Sequence, residues 1–204
     1  MRRPCFVGIA GGTGSGKTWL ADYLRRGLGR RAAVISHDWY YRDRAGLSAT
    51  ARKAVNFDHP RALETALLVR QLDALGRGDA AESPRYHFAT SRRAAKRVKL
   101  NPAPVLIVEG LFVLYEKDIR NRLDVTVFVE TAADIRLVRR IRRDAVERSI
   151  PVEETLRLYE SFARPMHDRF VAPSSAHADH VWRTADDRQF PRRLIMEIKQ
   201  RLSA

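Results

Sequence analysis

Short apolar runs alternate along the chain with longer stretches in which apolar residues recur every three to four positions. The short runs are rich in β-branched residues and predict buried strands, whereas the longer stretches predict amphipathic helices. This alternation predicts an α/β fold in three layers, a parallel five-stranded sheet with helices on both faces. The predicted strands are residues 5–10, 33–36, 105–109, 125–129 and 180–183. The predicted helices are residues 17–28, 61–75, 134–148, 153–170 with a break near Pro165, and 190–202, all within a single domain over residues 1–204.

One segment, residues 82–100, interrupts this alternation. Tyr86 and Phe88 on one side and Val98 and Leu100 on the other flank a polar, arginine-rich turn. Two such runs around a polar turn predict a β-hairpin that protrudes from the sheet. Before the third long helix, Thr131 with an acid three positions later predicts a capping box.

A glycine-rich segment joins the first predicted strand to the first predicted helix and fits the phosphate-loop pattern G-x-x-x-x-G-K-[ST]. Its backbone N–H groups and the helix N-terminus are suited to cradle phosphates. Lys17 is expected to reach the β- and γ-phosphates and Thr18 to coordinate Mg²⁺ through its hydroxyl. The pattern predicts nucleotide binding but does not choose between an ATPase, a GTPase and a kinase. Its residues are Gly11, Gly12, Thr13, Gly14, Ser15, Gly16, Lys17 and Thr18.

Two acids stand at the ends of predicted strands, where parallel sheets collect their ligands. Asp38 follows the second strand, where a carboxylate can accept a hydroxyl proton or hold a metal ion, or simply cap a turn. Glu109 ends the third strand, a position suited to face Mg²⁺ through water, although a solvated acid is also common there. Asp38 is therefore a candidate for a base, a metal contact or a turn cap, and Thr18 and Glu109 are candidate metal contacts beside it.

Charge adds a preference for anions. The 204 residues carry 38 Lys and Arg against 24 Asp and Glu, a formal net charge of +14, and most of the cations are arginine, whose planar fork suits phosphate. Charge alone separates neither a nucleotide from a nucleic acid nor either from a membrane surface. The single cysteine, Cys5, fits a reducing compartment, so the cytoplasm is expected. No apolar run reaches the roughly 18 residues that span a bilayer, and no membrane association is expected.

These motifs, in this order, resemble the uridine kinase (uridine-cytidine kinase) family of P-loop nucleoside kinases. The resemblance runs from about Phe6 to Arg183, and its most specific part is the segment Asn-Phe-Asp-His-Pro. The segments that carry it, besides the phosphate loop, are residues 36–41, 56–60, 84–88, 109–111, 139–144 with 147–148, 164–165 and 178–179.

The resemblance implies a role for each matching position. Asp38 corresponds to the base that takes the proton from the ribose 5′-hydroxyl, with ATP or GTP as donor and Mg²⁺ as cofactor, and Lys17 and Arg143 act on the transferred phosphate. Residues 134–160 correspond to a lid, in which Arg143 and Arg148 meet the nucleotide phosphates. The positions that correspond to the acceptor pocket are Asp38, Tyr41, Phe57, Asp58, Tyr86, Phe88 and Arg140.

Independently of the resemblance, Arg136, Arg139, Arg140 and Arg143 share one helical face, where a polyanion would relieve their mutual repulsion. A solvated basic face is the alternative for Arg136 and Arg139.

Three positions depart from the family pattern at the acceptor end. Ser91, Ile150 and Leu158 stand where the family usually has a histidine, an arginine and a glutamine. A pyrimidine nucleoside is expected, but another nucleoside or a different small hydroxylated metabolite stays open as the acceptor. A non-catalytic protein that binds nucleotide or nucleic acid is the alternative of another class, although no specific nucleic acid is expected. The resemblance also suggests a homo-oligomer, a tetramer or a dimer.

Overall fold

Five parallel strands form the central sheet. In this computed structural model, which describes residues 3–53, 55–88 and 90–203, the strands lie side by side in the order 32–36, 105–109, 5–11, 125–130 and 180–183. Every pairing within this sheet is parallel, so the predicted α/β fold with a parallel five-stranded sheet is confirmed. The strands of the sheet are β1 Cys5–Gly11, β2 Ala32–Ser36, β7 Val105–Glu109, β8 Val125–Glu130 and β9 His180–Arg183.

Helices cover both faces of the sheet, as the period-2 alternation of side chains along each strand requires. One face of β1 and β7 places Phe6, Leu106 and Val108 in a core with helix α3. The opposite face places Val7 and Ile107 in a second core with helices α1 and α8. The helices are α1 Lys17–Leu28, α2 Ala49–Lys53, α3 Thr65–Arg77, α4 Lys117–Arg120, α5 Ala133–Glu147, α6 Val152–Leu158, α7 Arg164–Met166 and α8 Phe190–Ser203.

The sheet register brings the chemically important strand ends together. Ser36 lies beside Glu109, and Glu109 lies beside Ile9, two residues before the end of β1. The phosphate loop after β1, Asp38 after β2 and Glu109 at the end of β7 therefore meet at one edge of the sheet. This is the edge at which ligands bind in open α/β folds.

The segment predicted as a β-hairpin contains two short antiparallel pairs. Strand β3, Ala81–Ser83, pairs with β6, Val98–Leu100, and nearer the tip β4, Tyr86–His87, pairs with β5, Arg92–Arg93. Arg93 fixes the tip to the chain after β2: its guanidinium donates to the carbonyls of Tyr41 at 2.8 Å and Tyr40 at 3.2 Å. Ala89, within this segment, lies outside the described residues.

Three details of the predicted helices are wrong. The second helix begins at Thr65, because Pro60–Ala62 form a separate 3₁₀ turn. No interruption occurs at Pro165; instead, helical backbone continues, with π-helical turns at Tyr159–Ala163 and His167–Val171 on either side of it. Wider turns of this kind are a recognised way to accommodate a disturbed hydrogen-bond ladder.

The predicted capping box is the third wrong detail. Helix α5 has Ala132 as its N-cap and no side-chain cap. The Thr131 hydroxyl instead donates to the carbonyl of Ser15 at 2.9 Å, which fastens the phosphate loop to β8. Separately, none of the helices in the described ranges is long and apolar enough to cross a bilayer.

Candidate functional site

A cavity of about 690 Å³ opens at the edge where the phosphate loop, Asp38 and Glu109 converge. Its walls come from the phosphate loop, the segments after β2 and β7, the hairpin tip, and helices α5 and α6. This volume is in the range that holds a drug-sized ligand. The lining residues are Thr13, Lys17, Asp38, Tyr41, Arg52, Val55, Phe57, Asp58, Tyr86, Phe88, Thr90, Ser91, Arg92, Leu111, Arg140, Arg143, Asp144, Arg148, Ser149, Ile150, Pro151, Glu154, Leu158 and Phe162.

The phosphate loop has the backbone that its glycines permit. Gly14 and Gly16 adopt left-handed conformations with φ of 74° and 100°, which L side chains rarely adopt. A Cβ atom at Gly14 would also lie 2.4 Å from the carbonyl oxygen of Arg136. Helix α1 begins at Lys17, so the positive end of its dipole points into the loop. The segment is therefore shaped to bind phosphate groups.

Glu109 lies behind the loop, 3% exposed. Its Oε2 accepts from the Thr18 hydroxyl at 3.4 Å. Burial raises the pKa of Glu109, Lys17 opposes this, and Asp38 adds to it. Mg²⁺ in phosphoryl-transfer sites is held by one or two carboxylates together with substrate phosphates and water, and a phosphate-loop hydroxyl can join them. The oxygens of Thr18, Glu109 and Asp38 match this requirement, and no group of three or more His, Cys, Asp or Glu side chains in the described ranges forms an all-protein metal site.

Asp38 faces the cavity from the 3₁₀ turn His37–Tyr40 that follows β2. Its Oδ1 is buried and has no hydrogen-bond partner among the residues that the structure describes. A buried, unpaired carboxylate oxygen is costly unless a ligand satisfies it. The oxygen is therefore suited to accept a hydrogen bond from a hydroxyl group of a bound molecule.

Four aromatic rings form one wall of the cavity. The ring centroid of Tyr41 lies 5.8 Å from that of Phe57, 5.2 Å from that of Tyr86 and 6.0 Å from that of Phe88. Burial, reinforced by nearby acids, raises the pKa of Tyr41 well above its usual value, so this phenol stays protonated. The wall offers a rigid apolar surface to a planar ring.

Helix α5 and the residue that ends it bring arginines to the same cavity. Arg140 donates to both carboxylate oxygens of Asp58, at 3.2 and 3.4 Å. Burial opposes its charge, but Asp58 and Asp144 more than offset this and raise the pKa of Arg140. The Arg148 guanidinium lies 4.2 Å from the centre of the Phe88 ring. Lys17 and Arg143 line the cavity as well, so cationic side chains from the phosphate loop and from helix α5 face the same space.

Arg136 and Arg139 do not face the cavity. Arg136 is buried against the outside of the phosphate loop, where its Nε donates to the carbonyl of Thr131 at 3.0 Å. Arg139 donates to the carbonyls of Gly14 at 3.3 Å and Ser15 at 3.5 Å. The four arginines predicted to share one face therefore fall into two pairs: Arg140 and Arg143 line the cavity, and Arg136 and Arg139 do not. Both of the latter arginines contact the loop from outside the cavity. Arg136 is buried there, whereas Arg139 is exposed to solvent, so the solvated alternative fits Arg139 and not Arg136.

The sequence comparisons decide the family. Residues 6–190 match the family model described as Phosphoribulokinase / Uridine kinase family. The chain belongs to this family. Curated relatives include a uridine kinase of Chloroflexus aurantiacus, 43% identical over 180 residues that cover 88% of this chain and 86% of that protein. A uridine kinase of Clostridium perfringens is 39% identical over 182 residues, 89% of this chain and 88% of that protein.

Solved structures agree on the fold. A putative fructose transport system kinase from Silicibacter superposes with a TM-score of 0.72 at 20% identity, covering 89% of this chain and 91% of the other. Phosphoribulokinase from Rhodobacter spheroides gives a TM-score of 0.65 at 16% identity, over 89% of this chain and 71% of the other. The predicted P-loop fold and the predicted resemblance are both confirmed. The protein is a Phosphoribulokinase / Uridine kinase family phosphotransferase with a hydroxyl acceptor.

Within this family member, every residue predicted for the acceptor pocket lines one cavity, together with Thr13 and Lys17 of the phosphate loop and with Arg143 and Arg148. The predicted site residues that do not line the cavity are Thr18 and Glu109, which contact each other just behind the loop, and Gly11, Gly12, Gly14, Ser15 and Gly16 of the loop itself. Trp39 lies next to Asp38 in the chain but does not line the cavity; it packs against the core, with the Arg85 guanidinium 3.4 Å from the centre of its ring. The three departing residues, Ser91, Ile150 and Leu158, do line the cavity.

Sequence reasoning missed two residues of the site. Asp144 is 1% exposed and contacts three arginines. The sequence does indicate these contacts, because Arg140 and Arg148 lie four residues before and four residues after Asp144, a spacing that brings side chains together on a helix. Thr131 was assigned to a helix cap, and its hydroxyl holds the phosphate loop instead. Nothing local in the sequence indicates that contact, since it spans 116 positions.

Proposed function

We propose that the protein transfers the γ-phosphate of ATP or GTP to the 5′-hydroxyl of a pyrimidine nucleoside, uridine or cytidine. The observation that carries the proposal is the continuity of one cavity from Lys17 in the phosphate loop, past Asp38, to the four aromatic rings. The proportions suit a nucleoside: a planar base beside the rings, ribose hydroxyls near Asp58, and the reacting oxygen near Asp38. Curated relatives at 39–43% identity carry the name uridine kinase.

Different residues would serve proton transfer, charge stabilisation and metal binding in this reaction. Asp38 accepts the proton of the 5′-hydroxyl while the oxygen forms a bond to the γ-phosphorus and the bond to the bridging oxygen of the donor breaks. Lys17, Arg143 and Arg148 stabilise the charge on the transferred group and on the leaving diphosphate. When bound, Mg²⁺ supplies further charge neutralisation, with Thr18, Glu109 and Asp38 as the residues that would hold it.

The test is an ADP-release assay with ATP and Mg²⁺ against uridine, cytidine, purine nucleosides and non-nucleoside alcohols. Turnover with uridine or cytidine is expected. 5′-Deoxyuridine, which lacks the reacting hydroxyl, is the matched control and is expected to inhibit without being phosphorylated. Release of ADP at the same rate with 5′-deoxyuridine as with uridine would contradict the proposal.

A second acceptor class is favoured by one observation. The cavity carries Ser91, Ile150 and Leu158 in place of the polar groups that the family usually has there. Fewer hydrogen-bonding groups give weaker discrimination between bases, because fewer unpaired polar groups penalise the wrong one. Under this alternative the same phosphate chemistry acts on another small hydroxylated molecule, and turnover appears only with a different acceptor in the same panel. Cytoplasmic location stays a prediction from the single cysteine, and a homodimer or homotetramer stays a prediction from the resemblance.

A further inference from the structure

Asp144 is the point at which three cavity arginines meet. Its Oδ1 accepts from Arg143 Nε at 3.0 Å and Nη2 at 2.7 Å, and lies 3.5 Å from Arg148 Nε. Its Oδ2 lies 3.4 Å from Arg140 Nε. The carboxylate is 1% exposed and itself lines the cavity.

The carboxylate of Asp144 offsets the repulsion between neighbouring buried guanidinium groups. Burial and the neighbouring Arg143 both lower the pKa of Arg148, because the two guanidinium groups repel one another away from water. A buried guanidinium group is costly unless an anion pairs with it. Among the described residues, Asp144 accepts hydrogen bonds from Arg143, whereas its contacts with Arg140 and Arg148 are longer ion pairs. Before a triphosphate arrives, Asp144 is the carboxylate that all three arginines share. The i–4, i–1 and i+4 spacing of these arginines around Asp144 makes the shared contact possible on one helix and its C-terminal cap.

The contacts also extend toward the acceptor. Arg140 bridges Asp144 to Asp58, which places one guanidinium between the phosphate arginines and the proposed ribose contact. Arg143 reaches toward the phosphate loop, with Nη1 3.5 Å from the Thr13 hydroxyl. The orientation of the cluster is therefore fixed on both sides, and Asp144 is at its centre.

We propose that Asp144 is a positioning residue that holds Arg140, Arg143 and Arg148 as a preformed receptor for the triphosphate, its carboxylate standing in for the phosphate oxygens until they bind. On binding, Arg143 and Arg148 exchange contacts with Asp144 for contacts with phosphate, while Arg140 stays tied to Asp58. The inference rests on the phosphotransferase activity and not on which nucleoside is the acceptor.

The proposal predicts a pattern that damage to the fold does not produce. In Asp144→Asn the arginines lose their common orientation, so kcat is expected to fall about 10- to 100-fold. The cavity also gains one net positive charge, so the KM for the triphosphate does not rise. For the same reason, inorganic tripolyphosphate is expected to bind several-fold more tightly to Asp144→Asn than to the unsubstituted protein.

The experiment measures turnover with an accepted nucleoside, and tripolyphosphate affinity by titration calorimetry. Asp134→Asn, the same substitution at an exposed position of helix α5, is the matched control and should leave both unchanged. Unchanged kcat in Asp144→Asn, or weaker tripolyphosphate binding, would overturn the proposal. If Asp144→Asn does not fold alone, tripolyphosphate is expected to restore folding, and failure to do so also counts against it. If no nucleoside is phosphorylated at all, the proposed function fails, and the calorimetric comparison still tests Asp144.

Discussion

The contact between Asp58 and Arg140 joins the acceptor segment to helix α5, and its removal should alter both stability and substrate binding. The two side chains are 16% and 7% exposed, with paired contacts of 3.2 and 3.4 Å. Removing one partner of a buried ion pair costs 3–5 kcal/mol when the other charge is left unpaired. Here Arg140 keeps its contact with Asp144. We therefore expect Asp58→Asn to lower the free energy of unfolding by about 2 kcal/mol.

For a chain of this length, a loss of about 2 kcal/mol lowers Tm by roughly 4–8 °C, which differential scanning calorimetry resolves. The matched control is Asp22→Asn, which breaks a 3.4 Å pair with Arg25 in which both side chains are 49% exposed. Exposed pairs contribute less than about 1 kcal/mol, so its Tm should fall by less than about 4 °C.

The same variant tests the acceptor site. If Asp58 holds ribose hydroxyls, loss of its charge removes a charge-assisted hydrogen bond of about 1.5–3 kcal/mol, roughly 10- to 100-fold in the KM for the nucleoside. Initial-rate kinetics with varied uridine, at saturating ATP, measure this. A Tm no lower than that of Asp22→Asn, together with an unchanged KM for the nucleoside, would refute the reasoning.

Three further predictions concern neighbouring groups. Asp38→Asn should lower kcat by about 10²- to 10⁴-fold while calorimetry shows ATP binding within a few-fold of normal; near-normal turnover would exclude Asp38 as the base. Glu109→Gln should raise the Mg²⁺ concentration needed for half-maximal activity about tenfold or more, and an unchanged Mg²⁺ titration would contradict a role at the metal. Burial lowers the pKa of His37 from 6.5 to about 4, so between these pH values the unfolded chain binds more protons and stability falls as pH falls. The loss reaches about 3 kcal/mol near pH 4, and Tm measured from pH 7 to 4.5 should fall less steeply in His37→Gln.

The sheet and the phosphate loop were predictable because their signals are local. Runs such as Val105–Glu109 are apolar at every position before the final acid, as a strand covered on both faces must be. The loop pattern stood directly between a strand and a helix, where its mechanism requires it. The resemblance to a kinase family then indicated which distant segments would meet this loop.

The details that were not predictable depend on contacts between distant segments. Thr131 fits a helix cap by sequence, yet its hydroxyl donates a hydrogen bond to the phosphate loop, which follows the neighbouring strand β1. The face shared by Arg136 and Arg140 is continuous along the helix, but only the fold shows that one contacts the outside of the loop and the other the cavity. Periodicity gives the faces of a helix and does not give what each face meets.

The central claim is transfer of a terminal phosphate to a nucleoside 5′-hydroxyl, and product identification tests it most directly. The protein is incubated with ATP, Mg²⁺ and uridine, and the products are resolved by ³¹P NMR and mass spectrometry. ADP and uridine 5′-monophosphate are expected in equal amounts, with the new phosphorus signal coupled to the 5′-methylene protons. Phosphate on the 2′- or 3′-oxygen, or ADP formed with inorganic phosphate and no nucleotide product, would contradict the claim.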